Sequence, residues 1–292
     1  MAPNSHKVPT PVSWQRLEQY LHGYDITTAQ YLIQGFRHGF RLDFEGTRTP
    51  QDCHNLRSAN LHDDYVTAKL NKELSQGRIS EGFIQKPFPN MKCSPLGVVP
   101  KKTPGDYRLI HHLSYGPGPD QSVNSGIPKS HSAVSYSHVD DAIAAIKSVG
   151  PGSFMAKTDI ESAFRIVPVH PDDYPLLGFS WQGMYFYDKA LPMGASSSCK
   201  IFETFSSALE WIAIHKFGCQ NIVHILDDFL FIANSYEQAC NDLRAFMDMC
   251  VRIGVPLSET KTFSPDTTMT FMGITLDTLR MEARLPEEKL CK

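Results

Sequence analysis

Apolar residues recur along this chain with two different spacings, and the switches between them outline most of its elements. From about Asp64 to Gln76, Val66, Leu70 and Leu74 fall on one helical face, with Asp63 as cap and Gly77 as stop. The helical period returns from Ser196 to Ile212, where Ile201, Phe202, Phe205, Leu209 and Ile212 follow a G-A-S-S-S entry. Ser235 with Gln238 reads as a capping box for a helix that ends before Gly254. Shorter helices are expected after Pro11, over Thr27 to Phe36, and from Ser137 and Asp140 to about Lys147, while GFRHGFRLDFEGTR reads as loop or strand. Strand patterns occupy SPLGVVPKK (94–102) and DYRLIHHL (106–113), joined by a T-P-G turn into a hairpin with lysines near its tip. Others cover FMAKTD (154–159), the region around MYFYDKAL (184–191), residues 222–226 and 229–233, and a final strand FMGITLD (271–277). Tyr115 to Ser137 is rich in Gly, Pro and Ser and reads as loop. Hairpins mixed irregularly with helices predict an α+β fold with a split-βαβ core, not a parallel doubly wound sheet.

Composition narrows the class. With 292 residues, 41% of them hydrophobic, the chain can build one large domain or two subdomains around a real core. The formal net charge of −3 excludes a global basic field as the argument for a nucleic-acid partner. Basicity is local instead: residues 78–130 carry a net charge of +4, through Arg78, Lys86, Lys92, Lys101, Lys102, Arg108 and Lys129 against three acids. Seven cysteines without a C-x-x-C pair predict free thiols in a reducing compartment and argue against a disulfide framework or structural zinc. The N-terminal stretch MAPNSHKVPTPVSW lacks an apolar core, and no apolar run reaches membrane-spanning length. An intracellular, cytoplasmic or nuclear protein is expected.

The chemistry concentrates in NIVHILDDFLFIANS (221–235), where Asp227 and Asp228 interrupt an apolar run. Two adjacent carboxylates repel by about 4 kcal/mol at an effective dielectric near 20. If the flanking strands fold into a hairpin, both acids sit at its tip, open to solvent, where a divalent cation can offset the repulsion. Asp159, ending FMAKTD, is a third carboxylate that a central sheet could bring alongside. Three such oxygen donors suit magnesium and a two-metal site with ions about 3.5–4 Å apart. Lys101, Lys102 and Arg108 flank the first hairpin tip, where they could meet a triphosphate. Plainer explanations stand beside each of these: an Asp-Asp pair is often simply a turn, and a basic hairpin tip is often a solvated edge. His111 and His112 are adjacent in a strand and point to opposite faces, which argues against one shared ion.

Taken in order, SPLGVVPKK, the RLI..LSY segment, SVNSGIP, DIESAFRIVPV, an L-P-x-G stretch opening a helix, LDDFL, a Lys after a helix and F-x-G resemble the reverse transcriptase domain of retroelements. More narrowly, they look like the tyrosine-recombinase (DIRS-like) retrotransposons. The resemblance covers roughly residues 50–290. It implies a right-hand polymerase: an accessory segment over 1–50, fingers over 51–150, and a palm over 151–292 whose antiparallel sheet carries helices on one face, with the thumb largely absent. It implies an RNA-directed DNA polymerase, joining a deoxynucleoside triphosphate to a primer 3′-hydroxyl on an RNA or DNA template. Asp159, Asp227 and Asp228 would hold two Mg2+ ions, with Mn2+ as a substitute. Lys101, Lys102 and Arg108 would contact the triphosphate, Phe164 would exclude a ribose 2′-hydroxyl, and Met193 and Gly194 would border nucleotide and template. Lys261 would protonate the leaving pyrophosphate, and Phe271, Met272 and Gly273 would hold the primer end.

The chain departs from that pattern in places. Ile225 stands where an aromatic residue is usual, Met193 where Gln is common, Cys199 where Pro is common, and His112 where an acid is expected. Two other classes compete: a polymerase-shaped remnant that binds nucleic acid without extending it, and a metal-dependent phosphoesterase with three aspartates. The latter has no need of Phe164 or the L-P-x-G helix.

Overall fold

The computed structural model describes residues 8–286 except 102, 104, 117, 119 and 120. Capping chemistry sets the first helices. Ser13 Oγ accepts from the Arg16 N–H to start α1 (Trp14–Tyr20), and Asp25 accepts from the Thr28 N–H to start α2 (Ile26–His38). Helices α3 (Arg57–Leu61) and α4 (Asp63–Ser75) follow; Val66 and Leu70 of α4 are buried, while Leu74 is left exposed. Strands β1 (Leu96–Pro100) and β2 (Tyr107–His111) form the expected hairpin in the register Leu96↔His111. Helix α5 (Val139–Val149) starts one residue later than its Ser137 signal suggests, because the His138 N–H is taken by the Asp141 carboxylate. Strand β3 (Phe154–Asp159) follows. Residues 184–191 contribute only β5 (Met184–Tyr187), which folds back on β4 (Gly178–Trp181) through Gln182 and Gly183, both at positive φ. Helix α6 (Ser198–Phe217) leads to β6 (Ile222–Ile225) and β7 (Asp228–Ala233). Helix α7 (Tyr236–Ile253) has half of its expected capping box: Ser235 accepts from the Gln238 N–H, but the Gln238 amide turns to Asp242. The last strands are β8 (Phe263–Asp266), β9 (Thr268–Phe271), β10 (Ile274–Asp277) and β11 (Glu282–Arg284).

These elements gather into two compact units, each built from separate stretches of chain. The first takes residues 31–134 and 164–202, with 8–10; the second takes 11–30, 135–163 and 203–286. In the first, the β1–β2 and β4–β5 hairpins pack with α3 and α4 around Ala59, Val66, Leu70, Ile79, Leu96, Val98, Phe179 and Trp181.

The second unit is organised by a sheet in the order β6-β7-β3-β8, with β3 antiparallel to β7 from Phe154↔Ala233 to Asp159↔Asp228. Alternation along these strands sorts their side chains onto two faces. Phe229 and Phe231 point to α7, where the Phe246 ring meets theirs at 4.7 and 5.2 Å. Met155, Leu230 and Ile232 point the other way, against Ala142 and Ile146 of α5 and Met269, Phe271 and Leu276 of the β9-β10-β11 sheet. Helices α6 and α7 therefore share one face as expected, but α5 lies on the opposite one, because the run Phe229–Ala233 is apolar on both sides.

The expected single strand over 271–277 is instead a hairpin. Met272 and Gly273 both have positive φ and form its two-residue turn, so Phe271 pairs with Ile274. Gly254, after α7, has φ +91, and a Cβ there would stand 2.2 Å from the Pro11 carbonyl oxygen. Gly254→Ala is accordingly expected to lower stability by about 1–3 kcal/mol through strain and crowding, read as a lower urea midpoint at unchanged slope.

Candidate active site

Strand pairing brings the three candidate carboxylates together. Asp159 ends β3 and lies opposite Asp228, the first residue of β7, and alternation puts Lys157, Asp159 and Asp228 on one face. The turn between β6 and β7 is Leu226–Asp227, since Ile225 pairs with Asp228. Asp227 is thus at the tip, whereas Asp228 belongs to the strand, and both are half-buried instead of open to solvent. The Asp227 backbone carbonyl accepts from the Ile160 N–H at 2.9 Å, tying the turn to the end of β3.

Two lysines answer the negative charge. Lys157 Nζ lies 3.0 Å from Asp228 Oδ2, and Lys261 Nζ lies 2.9 Å from Asp159 Oδ2. Lys261 is delivered by backbone pairing of its approach segment: the Ser258 N–H donates to the Asp159 carbonyl and the Glu161 N–H to the Pro256 carbonyl. The compensation is incomplete. Burial, reinforced by the Asp159 charge, raises the Asp227 carboxyl above its usual range, and burial pushes Asp228 up to about 6 despite Lys157. Asp228 Oδ1 is buried with no hydrogen-bond partner. Among the described residues, no group of three or more His, Cys, Asp or Glu side chains is arrayed to hold a metal ion, and the two lysines take carboxylate oxygens instead. The donor set still fits a hard divalent cation: three carboxylates, two with their ionised form disfavoured and one with an orphaned oxygen.

Behind the turn stands His224 of β6, buried and stacked on Phe229 at 5.2 Å. Its Nε2 lies 3.2 Å from Glu203 of α6, and its Nδ1 bonds Glu210 of the same helix. Burial works to lower the imidazole pKa, but the hydrogen bonds and charges of the two glutamates prevail and hold it at about 9. The apolar stripe of α6 does not mark this cluster, because Glu203 and Glu210 lie off it, on another face of the helix.

In the first unit, Lys101, Arg108, Met193 and Gly194 line one cleft of about 490 Å³. Lys102 lies outside the described residues. In the lining of the same cleft the half-buried Arg165 pairs with Asp188 at 2.7 Å and Glu73 at 2.8 Å, and His111 Nδ1 lies 3.1 Å from the same Asp188. Burial alone would raise the Asp188 carboxyl, yet Arg165 and His111 hold it below its usual range. Arg165, Asp188, Glu73 and His111 were not singled out for this role by the sequence pattern. Asn124 was missed too: its side chain donates to the Gly194 carbonyl and accepts from the Ser196 N–H. Gly194 has no room for a side chain, since a Cβ would meet the His111 carbonyl oxygen at 2.5 Å. Phe164 does not line this cleft; it packs on Phe202 at 5.1 Å and is nearly buried. Phe271 is fully buried in its apolar cluster, so only Met272 and Gly273 form the hairpin tip.

With this geometry in view, residues 99–276 match the model of the family "Reverse transcriptase (RNA-dependent DNA polymerase)", and the chain belongs to that family. Genome polyproteins of two isolates of petunia vein clearing virus are each 22% identical over 170 residues, covering 58% of this chain. The match takes up 7% of those polyproteins. Among solved structures, the chain resembles a foamy viral protease-reverse transcriptase in complex with double-stranded DNA. That likeness has a TM-score of 0.65 at 15% identity over 99% of this chain and 50% of that one. The same viral protein in complex with an RNA/DNA hybrid gives a TM-score of 0.63 at 14% identity, over 94% and 36% of the two chains. At such identities the likeness is one of fold: mixed α+β with antiparallel sheets, as in the fingers and palm of reverse transcriptases. Among the described residues no helix is long and apolar enough to cross a membrane.

The His224 cluster makes stability depend on pH in a stated direction. Its folded-state pKa of about 9 exceeds the ordinary 6.5, so its contribution is whole below 6.5 and is lost as pH rises through 9. Melting temperature should fall more steeply across that window in the parent than in His224→Gln. Equal slopes would show that the imidazole carries no proton between the glutamates.

Proposed function

We propose that this chain is the RNA-directed DNA polymerase domain of a retroelement, of the tyrosine-recombinase type, extending a primer with deoxynucleoside triphosphates. The observation that carries the reading is the register pairing Asp159 with Asp228 beside the Asp227 turn, within a family match over 99–276. In this reading fingers lie within about 51–150 and the palm beyond 151, with residues 1–50 as an accessory segment. Asp159, Asp227 and Asp228 hold two magnesium ions, or manganese in their place. Ions held there would supply charge stabilisation to the attacking 3′-oxygen and the leaving phosphate.

The chain's own residues do the rest. Lys157 and Lys261 stand as cations beside the carboxylates. Lys261, held protonated by Asp159 against the effect of burial, then has a proton to offer the leaving pyrophosphate. Lys101 and Arg108, with Lys102, meet the triphosphate as positive charges, which position it without reading sequence. Met193 and Gly194 border nucleotide and template; Asn124 keeps that segment against the His111 backbone. Phe164, packed on Phe202, is assigned the exclusion of a 2′-hydroxyl by shape. Met272 and Gly273 contact the primer end, with Phe271 as their buried anchor. The viral proteins of similar fold are found in complex with double-stranded DNA and an RNA/DNA hybrid, which supports a primed template as the partner here.

Three outcomes test this reading. On a primed RNA template with magnesium, the parent should extend the primer, and Asp227→Asn should lower the rate by about 10²–10³-fold, as loss of a key electrostatic group does. Binding without extension in both proteins would assign a nucleic-acid-binding remnant instead. Magnesium at millimolar concentration should raise the parent's melting temperature by mass action and leave that of Asp159→Asn unmoved. Phe164→Ala should raise the ratio of ribonucleotide to deoxynucleotide incorporation; an unchanged ratio removes Phe164 from the sugar-discriminating role.

A further inference from the structure

The turn that carries Asp227 is gripped by a side chain outside the carboxylate set. Leu226 has φ +50, a left-handed conformation that costs a non-glycine residue about 1–2 kcal/mol. Its N–H donates to Glu203 Oε2 at 2.8 Å, a charge-assisted bond from helix α6 to the strained peptide. The other oxygen of Glu203 lies 3.2 Å from His224 Nε2, and His224 Nδ1 is bonded to Glu210. A neutral imidazole has one N–H to give; here a carboxylate stands near each nitrogen, hydrogen-bonded at Nδ1 and at ion-pair distance without hydrogen-bond geometry at Nε2, a setting that favours the imidazolium. Glu203 and Glu210 are seven residues apart, two turns on one helical face, so α6 presents both to the same ring. A chain of polar contacts thus runs from the helix through β6 to the residue before Asp227.

We infer that Glu203 and His224 are positioning residues for the carboxylate turn. Glu203 holds the Leu226–Asp227 peptide in its left-handed turn through the Leu226 N–H, and His224 fixes the side-chain conformation of Glu203. The kinetic consequence rests on the polymerase reading above; the structural consequence does not. Without the acceptor, the turn relaxes toward conformations in which Asp227 is no longer aimed with Asp159, so the loss falls on turnover and not on nucleotide affinity.

The test compares Glu203→Ala, Glu203→Asp and Glu203→Gln with the parent, by amide hydrogen exchange resolved to Leu226 and by single-nucleotide kinetics. Alanine removes the acceptor. Aspartate keeps the charge for His224 but withdraws the oxygen by one methylene, and it carries the test should the alanine variant fold poorly. Glutamine keeps a neutral acceptor at the right reach. Exchange at Leu226 should quicken about tenfold or more in the alanine and aspartate variants, as loss of a hydrogen bond to a charged group implies. It should stay within about threefold of the parent in the glutamine variant. The alanine and aspartate variants should lose about tenfold in kcat at unchanged KM, and glutamine should recover part of it. Unchanged exchange in both shortened variants, or equal acceleration in the glutamine variant, overturns the proposal. A parent that fails to extend primers defeats the polymerase reading and leaves the exchange result to decide the role of Glu203.

Discussion

The antiparallel pairing of β3 with β7 is the constraint on which the second unit depends. It sets Asp159 opposite Asp228 and, by the same alternation, puts Met155, Leu230 and Ile232 on the carboxylate face and Phe229 and Phe231 on the other. A slip of β7 by one residue would turn its side chains over and send Asp228 against α7, away from Asp159. The apolar clusters on both sides of the sheet therefore do more than stabilise it. They fix the register that gathers three like charges, at an electrostatic cost that two lysines offset only in part. Perturbed carboxyls gathered by packing mark this group as a candidate functional site.

The same logic separates the two kinds of polar burial in this chain. Arg165 with Asp188 and Glu73 is a satisfied network: its charges are paired, and the Asp188 carboxyl is held below its usual range. It braces the floor of the first unit's cleft and leaves Lys101 and Arg108 at the lining for other work. The Asp159–Asp227–Asp228 group is unsatisfied, with two carboxyls raised and one oxygen orphaned. In the first network opposite charges outweigh burial and lower a carboxyl pKa; in the second, burial and like charge prevail and raise two. That contrast, more than the presence of acids, sets the candidate site apart from the first network.

Membership of the reverse transcriptase family and the likeness to foamy viral folds agree with the order of elements. The Glu210–His224–Glu203 series lies within that shared architecture yet hangs on three particular side chains. It shows how a helix can stiffen a strained two-residue turn across a strand. Such support suits a site whose acids gain nothing from mobility, because catalysis by positioning loses rate with small displacements.

Local pattern determined a good deal of this molecule. Alternation and capping marked α4, β1, β2, β3, α6, β6, β7 and α7, and adjacency of Asp227 and Asp228 within an apolar run marked the chemistry, because these signals lie between residues close in the chain. Turn geometry was less legible: the Met272–Gly273 hairpin and the Leu226–Asp227 tip depend on positive φ at non-glycine residues, which composition does not announce. What only the tertiary structure decided is which distant residues meet. Lys157 was within reach of inference, two places before Asp159 on one strand face. Lys261 on Asp159, Glu203 on the Leu226 peptide, Arg165 on Glu73 and Asn124 on Gly194 each join residues on different elements, and their meeting depends on packing that no local period encodes.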